Sequence, residues 1–168
     1  MTSYLAIRIA DLQDSASVTA LLEASYTNQL KNSYSPEVLA RALPLMTKAN
    51  PRLLKSGTYY VVQAGAELVG CGGWSKEAPG TGALTKGTAH IRHVATHPDW
   101  LRHGIGRSLL SRCFDEAASA GISILECHST LSAVEFYLAI GFKVVRPLKM
   151  KLAPDTSIDG VLLRRALS

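Results

Sequence analysis

The sequence predicts an α+β fold in which helices and strands form layers around a mixed sheet. Short apolar segments of strand type alternate along the chain with segments whose apolar residues recur at helical spacing. The chain has 168 residues and 47% hydrophobic content, which is enough for one domain with a substantial core. No linker, repeat or low-complexity tract divides it, so we expect a single domain over residues 1–168.

The first half is predicted to hold a strand, two helices and a hairpin. Ser35 suits the N-cap of the second helix, because a serine oxygen can accept a hydrogen bond from a first-turn amide. Pro36 suits its first position, where no amide donor is needed. Gly65 marks the hairpin turn. In order, we predict a strand at residues 4–9, helices at 11–26 and 36–48, and strands at 58–63 and 67–74.

The second half is predicted to continue with strands and helices in alternation. The helix after Gly104 shows an apolar stripe spaced for one face, formed by Ile105, Leu109, Cys113, Phe114 and Ala117. In order, we predict a strand at residues 88–96, this helix, a strand at 122–127, a helix within 133–142, and strands at 143–150 and 161–166.

The start of that helix is the strongest functional signal. A strand leads through a short loop into Gly104-Ile105-Gly106, and a glycine-rich helix N-terminus offers unpaired amides and a positive dipole end to an anion. Arg102, His103 and Arg107 surround it, which favours a phosphate or pyrophosphate. A Walker loop would need a lysine after the second glycine, and a dinucleotide fingerprint would need a glycine where Leu109 stands.

Charge and cysteine content narrow the class of protein. Residues 86–168 hold eleven Lys and Arg against seven Asp and Glu, whereas residues 1–85 hold seven against six, so the positive excess accompanies the anion loop. Nucleic-acid binding is the rival explanation, although the basic residues form no run. Three cysteines without Cys-x-x-Cys spacing, and no apolar run of membrane length, predict a soluble cytoplasmic protein.

Two motifs make the chain resemble the GNAT superfamily of acyl-CoA-dependent N-acyltransferases. Residues 94–107, Val-Ala-Thr-His-Pro-Asp-Trp-Leu-Arg-His-Gly-Ile-Gly-Arg, resemble the family's strand and its Gln/Arg-x-x-Gly-x-Gly/Ala pyrophosphate loop. Residues 133–142, Ala-Val-Glu-Phe-Tyr-Leu-Ala-Ile-Gly-Phe, resemble its late Phe-Tyr-x-x-x-Gly-Phe helix. The resemblance implies a three-layer α/β/α domain around a mixed, mainly antiparallel central sheet, and transfer of an acetyl group from acetyl-CoA to an amine.

The resemblance also implies where the co-substrate binds. Backbone amides are expected to hold the pyrophosphate, and the residues concerned are Arg102, His103, Gly104, Ile105, Gly106 and Arg107. The pantetheine arm is expected along the backbone of Val94, Ala95 and Thr96, with the Val94 amide polarising the thioester carbonyl. Leu101 departs from the family pattern, because it stands where the family has glutamine or arginine.

Two side chains are candidates for proton transfer. His90 aligns with the position where many family members have a glutamate base, and an imidazole can accept a proton near neutral pH. Tyr137 matches the family tyrosine that protonates the departing thiolate. The alternatives are a half-exposed strand histidine without a reactive partner, and an aromatic residue that serves only the core.

The remaining expectations concern metals, acceptor and partners. His90, His93 and His97 do not predict a metal site, because strand alternation turns positions 90 and 93 to opposite faces unless a bulge intervenes. We expect no metal, membrane or nucleic acid, and a small-molecule, peptide or protein amine as acceptor; a homodimer stays open. The alternatives in function are a CoA-binding protein without catalysis, favoured by Leu101, and a nucleic-acid-binding domain.

Overall fold

The computed structural model describes residues 4–167, and within them the predicted α+β class is confirmed: seven strands form one mixed sheet between two helical layers. The strands are β1 Leu5–Ile9, β2 Tyr59–Ala64, β3 Glu67–Ser75, β4 Thr88–Thr96, β5 Ile124–Thr130, β6 Lys143–Ala153 and β7 Thr156–Ala166. The α-helices are α1 Ser15–Leu30, α2 Pro36–Met46, α3 Pro51–Leu54, α4 Ile105–Ser119 and α5 Val134–Ala139.

The sheet has the order β1-β2-β3-β4-β5-β7-β6, and β4–β5 is its parallel pair. All other neighbouring strands in the described range run antiparallel. The β4–β5 pairing covers Thr88, Ala89 and His90, which oppose Ile124, Leu125 and Glu126. Beyond this point β5 pairs with β7, and β4 pairs with β3, so a gap opens between the two central strands.

Two apolar clusters attach the helices to opposite faces of the sheet. The predicted stripe of α4 is largely confirmed: Ile105, Leu109, Cys113 and Ala117 are buried against β2–β5, whereas Phe114 is only partly buried. Side chains of α1, α2 and α3 cover the other face, including Val18, Leu22, Leu39 and Leu54. In the described part of the chain, no helix is long and apolar enough to cross a membrane.

Helix boundaries differ from the predictions where local hydrogen bonds decide them. A 3₁₀ turn precedes α1, because the Asp11 side chain accepts from the Gln13 amide and Asp14 accepts from the Asp11 amide. The helix then continues to Leu30, four residues beyond the predicted end. The predicted cap of α2 is confirmed, since Ser35 Oγ accepts from the Val38 amide at 3.2 Å.

The helix predicted within residues 133–142 is shorter than expected. A 3₁₀ turn occupies Leu131–Ala133, and α5 has six residues. Gly141, with φ of +98°, then turns the chain toward β6, a conformation that suits glycine. The short helix α3 was not predicted; Asn50 caps it by accepting from the Arg52 amide.

Candidate active site

A β-bulge in β4 lies beside the gap. Cys71 opposes Ala95 and Gly73 opposes Arg92, so His93 and Val94 together face Gly72. His93 has φ of +44°, in the left-handed region that few non-glycine residues adopt. A Cβ atom on Gly72 would lie 2.9 Å from Val94 Cγ2, so the absence of a side chain there is what lets the bulge approach β3.

Hydrogen bonds from distant elements hold the bulge in place. The Tyr59 hydroxyl donates to the His93 carbonyl at 2.8 Å, and the Cys71 thiol donates to the same oxygen at 3.6 Å. The Tyr26 hydroxyl, from α1, donates to the Val94 carbonyl at 3.3 Å. These donors fix the backbone of Val94, whose amide is the predicted contact for the thioester carbonyl.

Tyr137 lies in the core beside the gap, with 6% of its surface exposed. Its ring packs edge-on against Phe136 and Phe142, with centroids 5.2 and 5.3 Å away. Burial raises the pKa of Tyr137 well above its usual range, and the neighbouring Cys127 thiol adds to this effect. The tyrosine therefore stays protonated at neutral pH.

The cysteines near the gap are poor nucleophiles. Burial raises the pKa values of the Cys71 and Cys127 thiols to about 12 each, and that of Cys113, under α4, to about 12 as well. All three are free and buried. Because the thiolate is the reactive form, an acyl-cysteine step is disfavoured at neutral pH.

His90 lies on the face of β4 opposite to Ala89 and Ile91, which pack toward α4. It is 4% exposed, and its Nδ1 has no hydrogen-bond partner among residues 4–167. Burial lowers the pKa of His90, and the Glu126 carboxylate partly opposes this. The imidazole is thus neutral at pH 7 and can accept a proton.

Polar side chains from β5 and β7 continue the surface next to His90. The His128 ring meets the His90 ring edge-on, with centroids 6.1 Å apart. Glu126 Oε2 accepts from Arg164 Nη2 at 2.6 Å and from its Nε at 3.1 Å. The sequence reading missed His128 and Glu126, although their alternation with the buried Leu125 and Cys127 would place them on one face of β5.

The predicted anion loop leads into α4 through left-handed backbone. Arg102 and Gly104 adopt φ of +64° and +74°, and Gly104 is the N-cap of α4. The first amide bonded within the helix is that of Ser108, which donates to the Gly104 carbonyl at 3.0 Å. The amides of residues 105–107 therefore have no acceptor inside the helix and are available to an anion.

The side chains around the loop differ in their exposure and in their contacts. Arg102, His103 and Arg107 are exposed at the surface beside the loop. Leu101 is 50% exposed, and its carbonyl oxygen lies 2.9 Å from His103 Nδ1, so its backbone takes part in holding the loop. A Cβ on Gly106 would lie 3.0 Å from the Phe136 ring, so this glycine serves close packing between α4 and α5.

The histidines of β4 do not lie on a regular strand, because the bulge that was left open by the sequence is present. The bulge falls at His93, so simple strand alternation does not determine the directions of positions 90 and 93. Within residues 4–167, no group of three or more His, Cys, Asp or Glu side chains is placed to hold a metal ion.

Comparison with known families decides the class. A family model described as "Acetyltransferase (GNAT) domain" matches residues 55–144, which include the bulge, the anion loop and Tyr137. The chain belongs to the GNAT acetyltransferase family. It is an acyl-CoA-dependent acetyltransferase. A comparison of this GNAT enzyme with curated protein sequences found no significant match.

Solved structures share the fold of this GNAT enzyme. A GCN5-related N-acetyltransferase from Rhodopseudomonas palustris has a TM-score of 0.78 at 22% identity, with 99% of each chain covered. The PaiA N-acetyltransferase from Thermoplasma acidophilum, in complex with coenzyme A, has a TM-score of 0.74 at 16% identity, covering 97% of this chain and 99% of its own. The ribosomal-protein-S18-alanine N-acetyltransferase from Escherichia coli gives 0.66 at 16%, covering 98% and 95%.

Proposed function

We propose that this enzyme transfers the acetyl group of acetyl-CoA to a primary amine by direct attack in a ternary complex, and that residues 1–168 act as one domain in the cytoplasm. The observation that carries the proposal is the gap between β4 and β5, which begins at His90 beside the bulge. Coenzyme A complexes of two GNAT structures, the PaiA enzyme and an N-acetylglutamate synthase from Neisseria gonorrhoeae, support the choice of co-substrate. Buried free thiols fit a reducing compartment.

The backbone supplies the binding site for acetyl-CoA in this proposal. Amides at the start of α4 bind the pyrophosphate, helped by the helix dipole, and the residues are Arg102, His103, Gly104, Ile105, Gly106 and Arg107. Val94, Ala95 and Thr96 offer a strand edge toward the gap, along which the pantetheine arm lies. Binding thus needs few side chains, which explains how Leu101 is tolerated.

Three groups of the protein carry the chemistry. His90 takes a proton from the acceptor ammonium, directly or through one water, and the free amine then attacks the acetyl carbon. The Val94 amide donates a hydrogen bond to the carbonyl oxygen as negative charge develops there. A carbon–nitrogen bond forms, the carbon–sulfur bond breaks, and Tyr137 gives its proton to the departing thiolate. The nitrogen then releases its remaining excess proton to water, and Tyr137 regains a proton from water. The protonated cysteines favour direct attack over an acyl-enzyme.

The proposal is tested by acetyl-CoA turnover over chemically grouped amines, with thiol release as the measurement. We expect release that depends on an added amine, and a rise in melting temperature with acetyl-CoA, because a ligand that binds the folded state stabilises it. Gly104→Val should abolish that rise, because φ of +74° excludes a β-branched residue. A melting curve unmoved by millimolar acetyl-CoA would overturn the proposal.

A further inference from the structure

Arg92 is a positively charged side chain next to the proposed base. It lies two residues after His90 on β4, and since strand residues alternate, both side chains project from the same face, about 6.7 Å apart along the strand. Ser75 confirms this placement, because it opposes His90 in the register while its Oγ accepts from Arg92 Nη1 at 2.8 Å.

The guanidinium of Arg92 donates hydrogen bonds through one nitrogen, and its other two nitrogens have no protein acceptor among the described residues. Nη1 uses neutral oxygens, the Ser75 hydroxyl and, at 3.5 Å, the Glu77 carbonyl. In the described residues, Nε and Nη2 have no acceptor and keep contact with solvent, and no carboxylate forms an ion pair with the group. A half-buried arginine therefore presents two free donors of its planar fork.

The surrounding carboxylates do not neutralise this charge. Glu126, which opposes His90 on β5, is engaged by Arg164 through two donors. Glu77 acts on Arg92 through space, without an ion pair. Burial lowers the pKa of Arg92, which means that its charge is partly desolvated and would gain from an anionic partner.

We propose that the acceptor is an amine with a carboxylate a few bonds from its amino group, as in an amino acid, and that Arg92 binds this carboxylate while the amino group faces His90. A guanidinium fork matches the two oxygens of a carboxylate, and charge-assisted bonds of this kind fix orientation as well as affinity. The Ser75 contact holds the fork in position before the acceptor arrives. This inference rests on the proposed acetyl transfer and specifies its substrate class.

The test compares each common L-amino acid with its own α-carboxamide as acceptor, using thiol release from acetyl-CoA. For at least one amino acid, the wild-type enzyme should show a kcat/KM about 10–100-fold above that of the carboxamide, the range expected for hydrogen bonds to a charged group. Arg92→Gln should reduce this ratio about tenfold or more, mainly through the KM of the amino acid. Because the ratio is compared between two proteins, the difference in basicity between acid and amide cancels.

Two further variants complete the design. Arg52→Gln removes the same charge from the exposed surface of α3 and should leave the ratio unchanged. Arg92→Lys keeps the charge but loses the fork, so it should lower the ratio partway, and it replaces Arg92→Gln if circular dichroism shows that variant to be unfolded. The inference would be overturned if the wild type accepted carboxamides as well as amino acids, or if Arg92→Gln kept the wild-type ratio of kcat/KM between acid and amide. Either result would leave acetyl transfer intact. No thiol release with any amine, despite CoA binding, would overturn both.

Discussion

Gly72→Ala is expected to slow catalysis by moving the bulge. The new Cβ would lie 2.9 Å from Val94 Cγ2 and 3.3 Å from Val94 Cα, whereas ordinary contact begins at 3.4 Å. The Val94 side chain must therefore move by about 0.5 Å at Cγ2 and its backbone by about 0.1 Å at Cα, and overpacking of this kind costs ~1–3 kcal/mol of stability. Losing an oxyanion donor entirely lowers kcat ~10²–10³-fold, so a displaced donor should lower it about tenfold.

The assay separates this effect from general destabilisation. We would measure kcat and the KM for acetyl-CoA by thiol release, well below the melting temperature of each variant. Gly160→Ala is the matched control, because its Cβ would lie 2.6 Å from the Ser129 carbonyl oxygen, in the sheet but outside β4. It should lose stability and keep kcat. If Gly72→Ala melts as early as this control and retains wild-type kcat, the bulge does not position a catalytic amide.

Changes at Tyr137, His90 and His93 should each have a distinct measurable effect. Tyr137→Phe should keep the fold and the CoA-induced rise in melting temperature but lower kcat ~10²–10⁴-fold; an unchanged kcat, with chemistry rate-limiting, would assign the ring to packing. Because burial lowers the pKa of His90, kcat/KM should rise with pH through an apparent pKa below 6.5 and His90→Ala should lose this limb, whereas a limb that follows the pKa of each acceptor would point to water as the base. Burial lowers the pKa of His93 to about 4, so acid should protonate the unfolded chain first and remove stability as pH falls from 6.5 to 4. This loss of unfolding free energy is at most about 3 kcal/mol and is reduced by solvent contact. His93→Asn, in which asparagine tolerates positive φ, should show a smaller loss when stability is measured by urea unfolding. Equal losses in the two proteins would contradict the assignment to His93.

Local sequence patterns were sufficient for much of the fold. The cap at Ser35, the apolar stripe of α4 and the glycine start of that helix depend on residues within a few positions of one another, and the structure has all three. The length of α5 was not predictable in this way, because Gly141 ends the helix while the apolar pattern continues to Phe142.

The arrangement of the site depends on contacts that no local pattern reveals. The bulge places a histidine at positive φ, and the hydroxyls that hold it come from Tyr26 and Tyr59, 68 and 34 residues away from their acceptors. His90 and His128 likewise lie close together because β4 and β5 pair in parallel, although α4 separates the two strands in the sequence. The sequence could therefore nominate His90 and Tyr137, but it could not show that Arg92 has no ion-pair partner among residues 4–167.

The short β4–β5 pairing divides the residues of the candidate site between two half-sheets. His90, Arg92 and Val94 belong to the half that ends in β4, whereas Glu126 and His128 belong to the half that begins with β5. Among the described residues, three register pairs connect the halves within the sheet. In the proposed reaction, a co-substrate that fills the gap along both strands also joins the two half-sheets. The affinity for the co-substrate and the alignment of the reacting groups then depend on the same junction. A variant that loosens this junction should weaken binding and slow the chemistry together.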